Sequence, residues 1–302
     1  MIRQLMETSI QQNEVVKFQK DQIKNWRKEQ KKYEIATHIP IPSFYPGPRL
    51  SPRTAGEPIR RIGKHGKKKG KLYYPDGLAL DGDKIYIADA NNRRIQILST
   101  EGKFIQEFGK EQLMHPYGIA SFNEWVFISD LGLDAVFKFS ITNYKLIKSV
   151  KGVVSYPIGL TTGTYGEVLV ADSTNNRIAV FSSDLEYIRE IGKDKLINPG
   201  DVKINNNKIF VADKNKINNI HIFSKSGDLL KSFIKLENGG GYICMCLDLY
   251  NNIIISDYLG NSINIFNKDG QLIQKIICDK LTGIVVNNNF DIICASDVIN
   301  IY

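Results

Sequence analysis

Pro75-Asp-Gly-Leu-Ala-Leu-Asp81, Lys84-Ile-Tyr-Ile-Ala-Asp89, Asn91-Asn-Arg-Arg-Ile-Gln-Ile-Leu98 and Gly102-Lys-Phe-Ile-Gln-Glu-Phe-Gly109 follow one another with only short gaps. Each run is short, rich in Ile, Phe, Leu and Tyr, and stops at Gly, Asn or Asp, the pattern of strands separated by tight turns. No window of a dozen residues keeps a 3.6-residue period without a turn signal, so a helix does not fit. Asp81-Gly82-Asp83 and Thr100-Glu101-Gly102 supply residues that tolerate positive φ at the hairpins.

The plan recurs to the end of the chain. Its marker is an aspartate closing a short apolar run: Asp89, Asp130, Asp172, Asp213, Asp257 and Asp297, at intervals of 41, 42, 41, 44 and 40 residues. A period of this size marks a repeat-built fold. Copies two, three and four open Pro116-Tyr-Gly, Pro157-Ile-Gly and Pro199-Gly-Asp, while the fifth has Tyr242 in place of proline and the sixth reads Leu281-Thr-Gly-Ile. The six aspartates are expected to bond backbone N–H groups in the turns that follow them.

The sixth copy stops after a third run at Tyr302, and the missing outer run lies at the other end, as Pro58-Ile-Arg-Arg-Ile-Gly63. The reading is therefore all-β: a six-bladed β-propeller of four-stranded antiparallel blades, closed by an N-terminal outer strand joining the C-terminal three strands. An open solenoid would need capping units.

Residues 1–38 differ in kind. A stretch free of Gly and Pro, rich in Gln, Lys and Glu, carries a narrow apolar stripe that includes Val16, Ile23, Trp26 and Tyr33, which predicts a basic amphipathic helical arm preceding the propeller. Residues 39–57 hold a series of prolines with Phe44 and Tyr45 between them, an extended connector that is either a strap or a loose linker. The propeller is expected over 58–302.

The net charge is +8, unevenly placed: residues 1–71 contain 17 Lys or Arg against 6 Asp or Glu, the remainder 23 against 26. The basic cluster Arg60, Arg61, Lys64, Lys67, Lys68, Lys69 and Lys71 leads into the first blade. Topology puts it on one face with Arg93, Lys110, Lys193 and Lys195. Such a face suits an RNA backbone, an acidic protein surface or anionic headgroups, and a merely soluble Gly-Lys loop is the plain alternative. Tyr73, Tyr74, Tyr117 and Tyr156 are the aromatic candidates for stacking bases, and they equally suit packing between blades.

Four histidines, His38, His65, His115 and His221, do not converge in the repeat pattern, and no nucleophile, base and orienting set is legible. Neither a cofactor nor a metal site is expected. Cys244, Cys246, Cys278 and Cys294 have neither zinc-site nor disulfide spacing and read as reduced core residues. With no signal-peptide pattern and no apolar stretch long enough to span a bilayer, a cytoplasmic or organelle-interior soluble protein is expected.

The order Pro-x-Gly-Ile/Leu-Ala, a strand ending Ala/Ser-Asp, then Asn-Asn-Arg-Ile, clearest at Asp89 to Ile95 and Asp172 to Ile178, resembles the NHL repeat family. That resemblance implies a propeller, and it implies protein binding or RNA binding more than catalysis, although a related set of NHL propellers are metal-dependent lyases. The resulting expectation is a non-catalytic interaction scaffold with other protein subunits as partners, reached through the arm and a propeller face. RNA binding by the Lys-rich face is the alternative, and a metal-dependent lyase or hydrolase in the central channel stands third.

Overall fold

The computed structural model describes residues 57–205, 207–214, 220–233, 243–278 and 281–302. The arm and connector residues Val16, Ile23, Trp26, Tyr33, Phe44 and Tyr45 lie outside the described residues. Strands form six four-stranded antiparallel sheets arranged as propeller blades. In blade 1 the strands run from channel to rim as Pro75–Asp81, Lys84–Asp89, Arg94–Ser99 and Phe104–Phe108. Blades 2 to 5 repeat this, with inner strands Pro116–Phe122, Pro157–Thr162, Pro199–Asn205 and Ile243–Leu247. Blade 6 takes Ile284–Val286, Ile292–Ala295 and Ile299–Ile301 from the C-terminus and Arg60–Ile62 as its outer strand, with Arg60 opposite Ile301 and Ile62 opposite Ile299. Among the described residues the sole helical element is the single 3-10 turn Ala90–Asn92, and none is a helix long and apolar enough to cross a membrane.

Alternation explains the layers. The second and third strands of blade 1 are buried along almost their whole length, because each side packs against a neighbouring blade. Apolar clusters fill the inter-blade seams, and the one between blades 5 and 6 also takes in Tyr117 and Ile158 from across the ring. Ile95, Ile97, Phe137 and Phe139 belong to the seam between blades 1 and 2, while Ile62, Leu78, Ile85, Ile293 and Ile301 close the last one between blades 6 and 1. Hairpin turns take the positive φ that their residue types suit, at Gly82 (+59°) and Gly102 (+91°).

The Pro-x-Gly motif has a specific steric reason. A Cβ on Gly77 would stand 2.1 Å from the Tyr117 carbonyl oxygen, one on Gly118 2.6 Å from that of Ile158, and one on Gly283 1.9 Å from that of Asp76. Inner strands thus meet backbone to backbone around the channel, a distance that only glycine permits. In blade 4 the equivalent place is Asp201, whose carboxylate accepts hydrogen bonds from the Val202 and Met245 amides at 2.8 Å each and from Lys203 Nζ at 2.7 Å.

At the rim, a bulge interrupts the outer strand of blades 1 to 5 and leaves Ile105, Ile147, Ile188, Leu230 and Ile273 out of the ladder, all exposed. Bulges blunt the free edges that would otherwise template pairing between rings.

Two expectations need correction. Asp297 is not a strand-closing residue: Ala295 lies opposite Ile299 as Ala88 lies opposite Ile95, so Ser296 holds the place of Asp89. The turn is shorter in blade 6, and Asp297 is exposed at its tip. The run from Asn91 begins in the 3-10 turn and passes through Arg93 at φ 56° before the strand starts at Arg94.

Gly77→Ala and Gly118→Ala are expected to destabilise the ring by about 1–3 kcal/mol each, the usual range for overpacking. A urea midpoint at the wild-type value for both would refute the close-approach account.

Candidate binding face

Asp89 is fully buried and is the centre of a network rather than a local turn device. Its carboxylate accepts hydrogen bonds from the Tyr73 amide (2.7 Å), Asn92 Nδ2 (2.9 Å), Arg94 Nε (2.8 Å) and Gln96 Nε2 (2.9 Å). The same backward reach to the incoming loop recurs: Asp130 accepts from the Met114 amide, Asp172 from Ser155 and Asp213 from Ile197. Asp257 accepts from the Gly260 amide in its own turn. A buried carboxylate requires such donors to offset lost hydration.

In blade 1 this network carries the basic loop. Arg94, 2% exposed, pairs with Glu107 Oε2 at 2.6 Å and donates to the carbonyls of Lys68 (3.0 Å) and Lys71 (2.9 Å). Gln96 donates to the Lys71 carbonyl at 2.6 Å and accepts from the Gly70 amide at 2.9 Å, and Asn92 donates to the Gly66 carbonyl at 3.0 Å. Leu72, fully buried, pins the end of the loop. Loop carbonyls therefore point inward while Lys64, Lys67, Lys68 and Lys69 stand in solvent, with Lys69 Nζ 5.6 Å from the Phe104 ring centroid. A loosely tethered Gly-Lys loop does not describe this segment. Lys71 is half-buried beside it.

The remaining basic candidates divide. Arg61 and Arg93 are exposed and line the funnel on the channel axis. Lys110, Lys193 and Lys195 are exposed on loops leaving blades 1 and 3, and Lys193 pairs with Glu190 at 3.4 Å. Arg60 does not join them. Its guanidinium donates to the Thr100 carbonyl at 3.0 Å, at the opposite end of the strands, and ties blade 6 to blade 1. Arg189 and Lys231 make the same kind of tie from the equivalent place, to the Lys225 and Asp269 carbonyls. One step of strand alternation separates Arg60 from Arg61 and sends them apart.

The funnel encloses about 1470 Å³. Tyr74 and Tyr156 stand 55% and 42% exposed at its wall, with φ of 50° and 52°, and Tyr258 lines it from blade 5. Of the other sequence candidates, Tyr73 is half-buried edge-on to His65 with centroids 5.1 Å apart, and Tyr117 is buried with its hydroxyl 3.9 Å from Cys244 Sγ on a distant blade.

Asp76, unremarked in the sequence, lies at the funnel floor, and burial pushes its carboxyl up to about 7 against the field of Lys214. His115 Nε2 is 3.7 Å from its Oδ2, and burial lowers the His115 pKa against the pull of Asp130. Burial likewise lowers the Lys214 pKa, opposed by Cys244, Asp201 and Asp76. These groups come from different blades, so their only sequence signal is departure from the repeat: Lys214 follows Asp213 where Ala90 follows Asp89.

Among the described residues no three His, Cys, Asp or Glu side chains form a metal-holding group. The four cysteines are buried, and burial pushes the Cys244 thiol up to about 12. His221 bonds Ser232 Oγ through Nδ1 at 2.8 Å and stands 3.5 Å from Asp213 through Nε2. Register equates this trio with Glu107, Gln96 and Asp89, so it is blade 4's version of the same inter-strand network.

The fold and its face define a six-bladed β-propeller. Two stretches of this propeller, residues 72–98 and 154–181, match the NHL repeat family. The chain is similar to Protein brain tumor of Drosophila melanogaster, 27% identical over 150 residues that are 45% of this chain and 14% of that protein. It is also similar to RING finger protein nhl-1 of Caenorhabditis elegans, 34% identical over 84 residues, 26% of this chain and 9% of that protein. The aligned stretches thus span about a seventh or less of these relatives. The solved streptogramin B lyase superposes with a TM-score of 0.59 at 14% identity, covering 80% of this chain and 97% of that one, a likeness of fold alone.

Arg94→Ala is expected to cost about 3–5 kcal/mol, because it strands the buried Asp89 charge, and to speed amide exchange at Gly70 and Leu72. Unchanged exchange there would show that the loop does not depend on Arg94. For Asp76 the folded pKa lies above the unfolded one, so its stabilising contribution is complete below about pH 4 and lost as pH rises through about 7. Asp76→Asn should therefore melt with wild type at pH 4 and above it at pH 8.

Proposed function

We propose that this protein is a non-catalytic docking platform within a protein assembly, binding through the funnel face and its basic loop, with residues 1–57 as an attachment arm. The observation that carries this reading is the pinned loop at 63–72. Its backbone is fixed from below by Arg94, Gln96 and Asn92, and among the described residues no carboxylate lies within 4.0 Å of Lys64, Lys67, Lys68, Lys69 or Lys71. A cluster of like charges held in one geometry raises self-repulsion unless a complementary surface meets it, and its rigidity reduces the ordering cost of binding. An acidic protein surface fits this chemistry. Lys110, Lys193 and Lys195 extend the basic character to other blades of the same face.

RNA is the second reading, favoured by one observation: Tyr74 and Tyr156 are exposed in the same funnel that Arg61 and Arg93 line. Aromatic faces beside guanidinium groups are what unstacked bases use.

Affinity purification of the full chain, with and without RNase, separates the two. Under the docking reading, protein partners persist after RNase, are lost when Lys67, Lys68 and Lys69 become Glu, and are weakened by deletion of residues 1–56. Association that disappears with RNase and with the same three substitutions would replace the docking reading by the RNA one.

A further inference from the structure

We propose that the funnel floor is a receptor for one organic cation, the ammonium or guanidinium head of a partner's lysine or arginine side chain, with Asp76 as counter-ion and Tyr74, Tyr156 and Tyr258 as walls. This deepens the docking reading of the funnel face but does not involve the basic loop.

The carboxylate is the first part of the argument. Asp76 is 9% exposed, and among the described residues its side chain accepts no hydrogen bond. Its nearest polar neighbour is His115 Nε2, at 3.7 Å, beyond hydrogen-bonding range. Lys214, whose field acts on it, lies across Gly200, where an added Cβ would stand 2.3 Å from Lys214 Cε, and among the described residues no Lys or Arg nitrogen comes within 4.0 Å of Asp76. The buried aspartates that close the second strands are met by amide or guanidinium donors, as at Asp89 and Asp172. Asp76, on the first strand, opens onto the funnel with no such donor among the described residues, which is the state a cationic guest would relieve.

The walls are the second part. Tyr74, Tyr156 and Tyr258 come from blades 1, 3 and 5, so alternate blades surround the axis with aromatic rings. Tyr74 and Tyr156 sit at positive φ, a conformation rare for a bulky aromatic, whereas blade 4 places Asn198 (φ 65°) at the equivalent position. Strain of this kind collects at binding sites, where the exposed ring is its return. Aromatic faces attract a desolvated cation, and one flanking carboxylate fixes its charge.

Charge state sets a pH signature. Among the described residues the groups acting on Asp76 are His115 and Tyr117 from blade 2, Lys214 from blade 4 and Cys244 from blade 5, with Asp201 of blade 4 acting on Tyr117, Lys214 and Cys244 in turn. His115 is neutral above its lowered pKa, the thiol and the phenol stay protonated, and Asp201 is engaged with Lys203 at 2.7 Å. Ionisation of Asp76 therefore decides affinity, which rises from pH 6 to pH 8 while a lysine or arginine probe remains charged.

The test is calorimetric titration of the full chain with Nα-acetyl-lysine methylamide, its arginine counterpart, the neutral isostere Nα-acetyl-norleucine methylamide, and n-butylamine. The expected result is at least about tenfold tighter binding of the charged probes than of the isostere, consistent with a cation held by aromatic faces and a carboxylate. Asp76→Asn should abolish that difference, Tyr156→Ala should reduce it several-fold, and both variants should retain the wild-type circular dichroism. The Lys67, Lys68, Lys69 to Glu variant should bind the probes as wild type does, so loss of partner capture in that variant with probe binding intact separates this site from the basic loop. Equal binding of isostere and lysine probe, or binding untouched by Asp76→Asn, overturns the proposal. Binding of n-butylamine without the acetylated lysine and arginine overturns its assignment to a partner side chain.

Discussion

Contact between backbones around the central channel is the constraint from which the rest of this molecule follows. Glycines at 77, 118, 159 and 283 let inner strands approach to a distance that any side chain would block. That approach sets the radius of the ring, and the radius sets how the apolar faces of adjacent blades meet. The one inner strand that carries a carboxylate instead, at Asp201, replaces lost van der Waals contact by hydrogen bonds to its own and the next strand. No hydrophobic seam could form at its observed depth if these strands stood farther apart.

The second organising element is the buried aspartate that closes the second strand in blades 1 to 5, which in blades 1 to 4 links local structure to the loop entering the blade. In blades 1 and 3 it holds an arginine, and that arginine reaches carbonyls of the incoming loop: Lys68 and Lys71 in one case, Val153 in the other. The chemistry is the same, but only blade 1 puts lysines on the loop so held. A structural device repeated around the ring thus becomes, at one position, the support of a charged surface. Function on a repeat fold arises in this way, by a departure in one copy resting on what the other copies share.

Much of the fold was legible because the repeat is written in local chemistry. Alternation, turn residues and the spacing from Asp89 to Asp257 are properties of short stretches, and they locate strands and count blades without knowledge of contacts. Asp297 was misplaced because counting aspartates cannot see a shortened turn, and hydrogen-bond register puts Ser296 in its place. Arg60 was assigned to the wrong end because its direction depends on the strand it pairs with, Ile299–Ile301, and on the turn at Thr100 that it reaches. Of the four tyrosines singled out, Tyr74 and Tyr156 stand exposed in the funnel, while Tyr117 has a similar motif context but is buried with its hydroxyl toward Cys244.

What the sequence by itself determined is the repeat, its six copies, their strand content and the concentration of positive charge ahead of the first blade. These are sums over near neighbours, and near neighbours are all that periodicity and turn chemistry describe. The tertiary structure alone decided that the basic loop is pinned to the first blade, that Arg60 and Arg61 part company, and that Asp76 lies beside His115 in the funnel and in the field of Lys214. Each of these depends on groups from separate blades that only the closed ring brings together, and on burial, which changes the cost of a charge in ways that no linear spacing encodes.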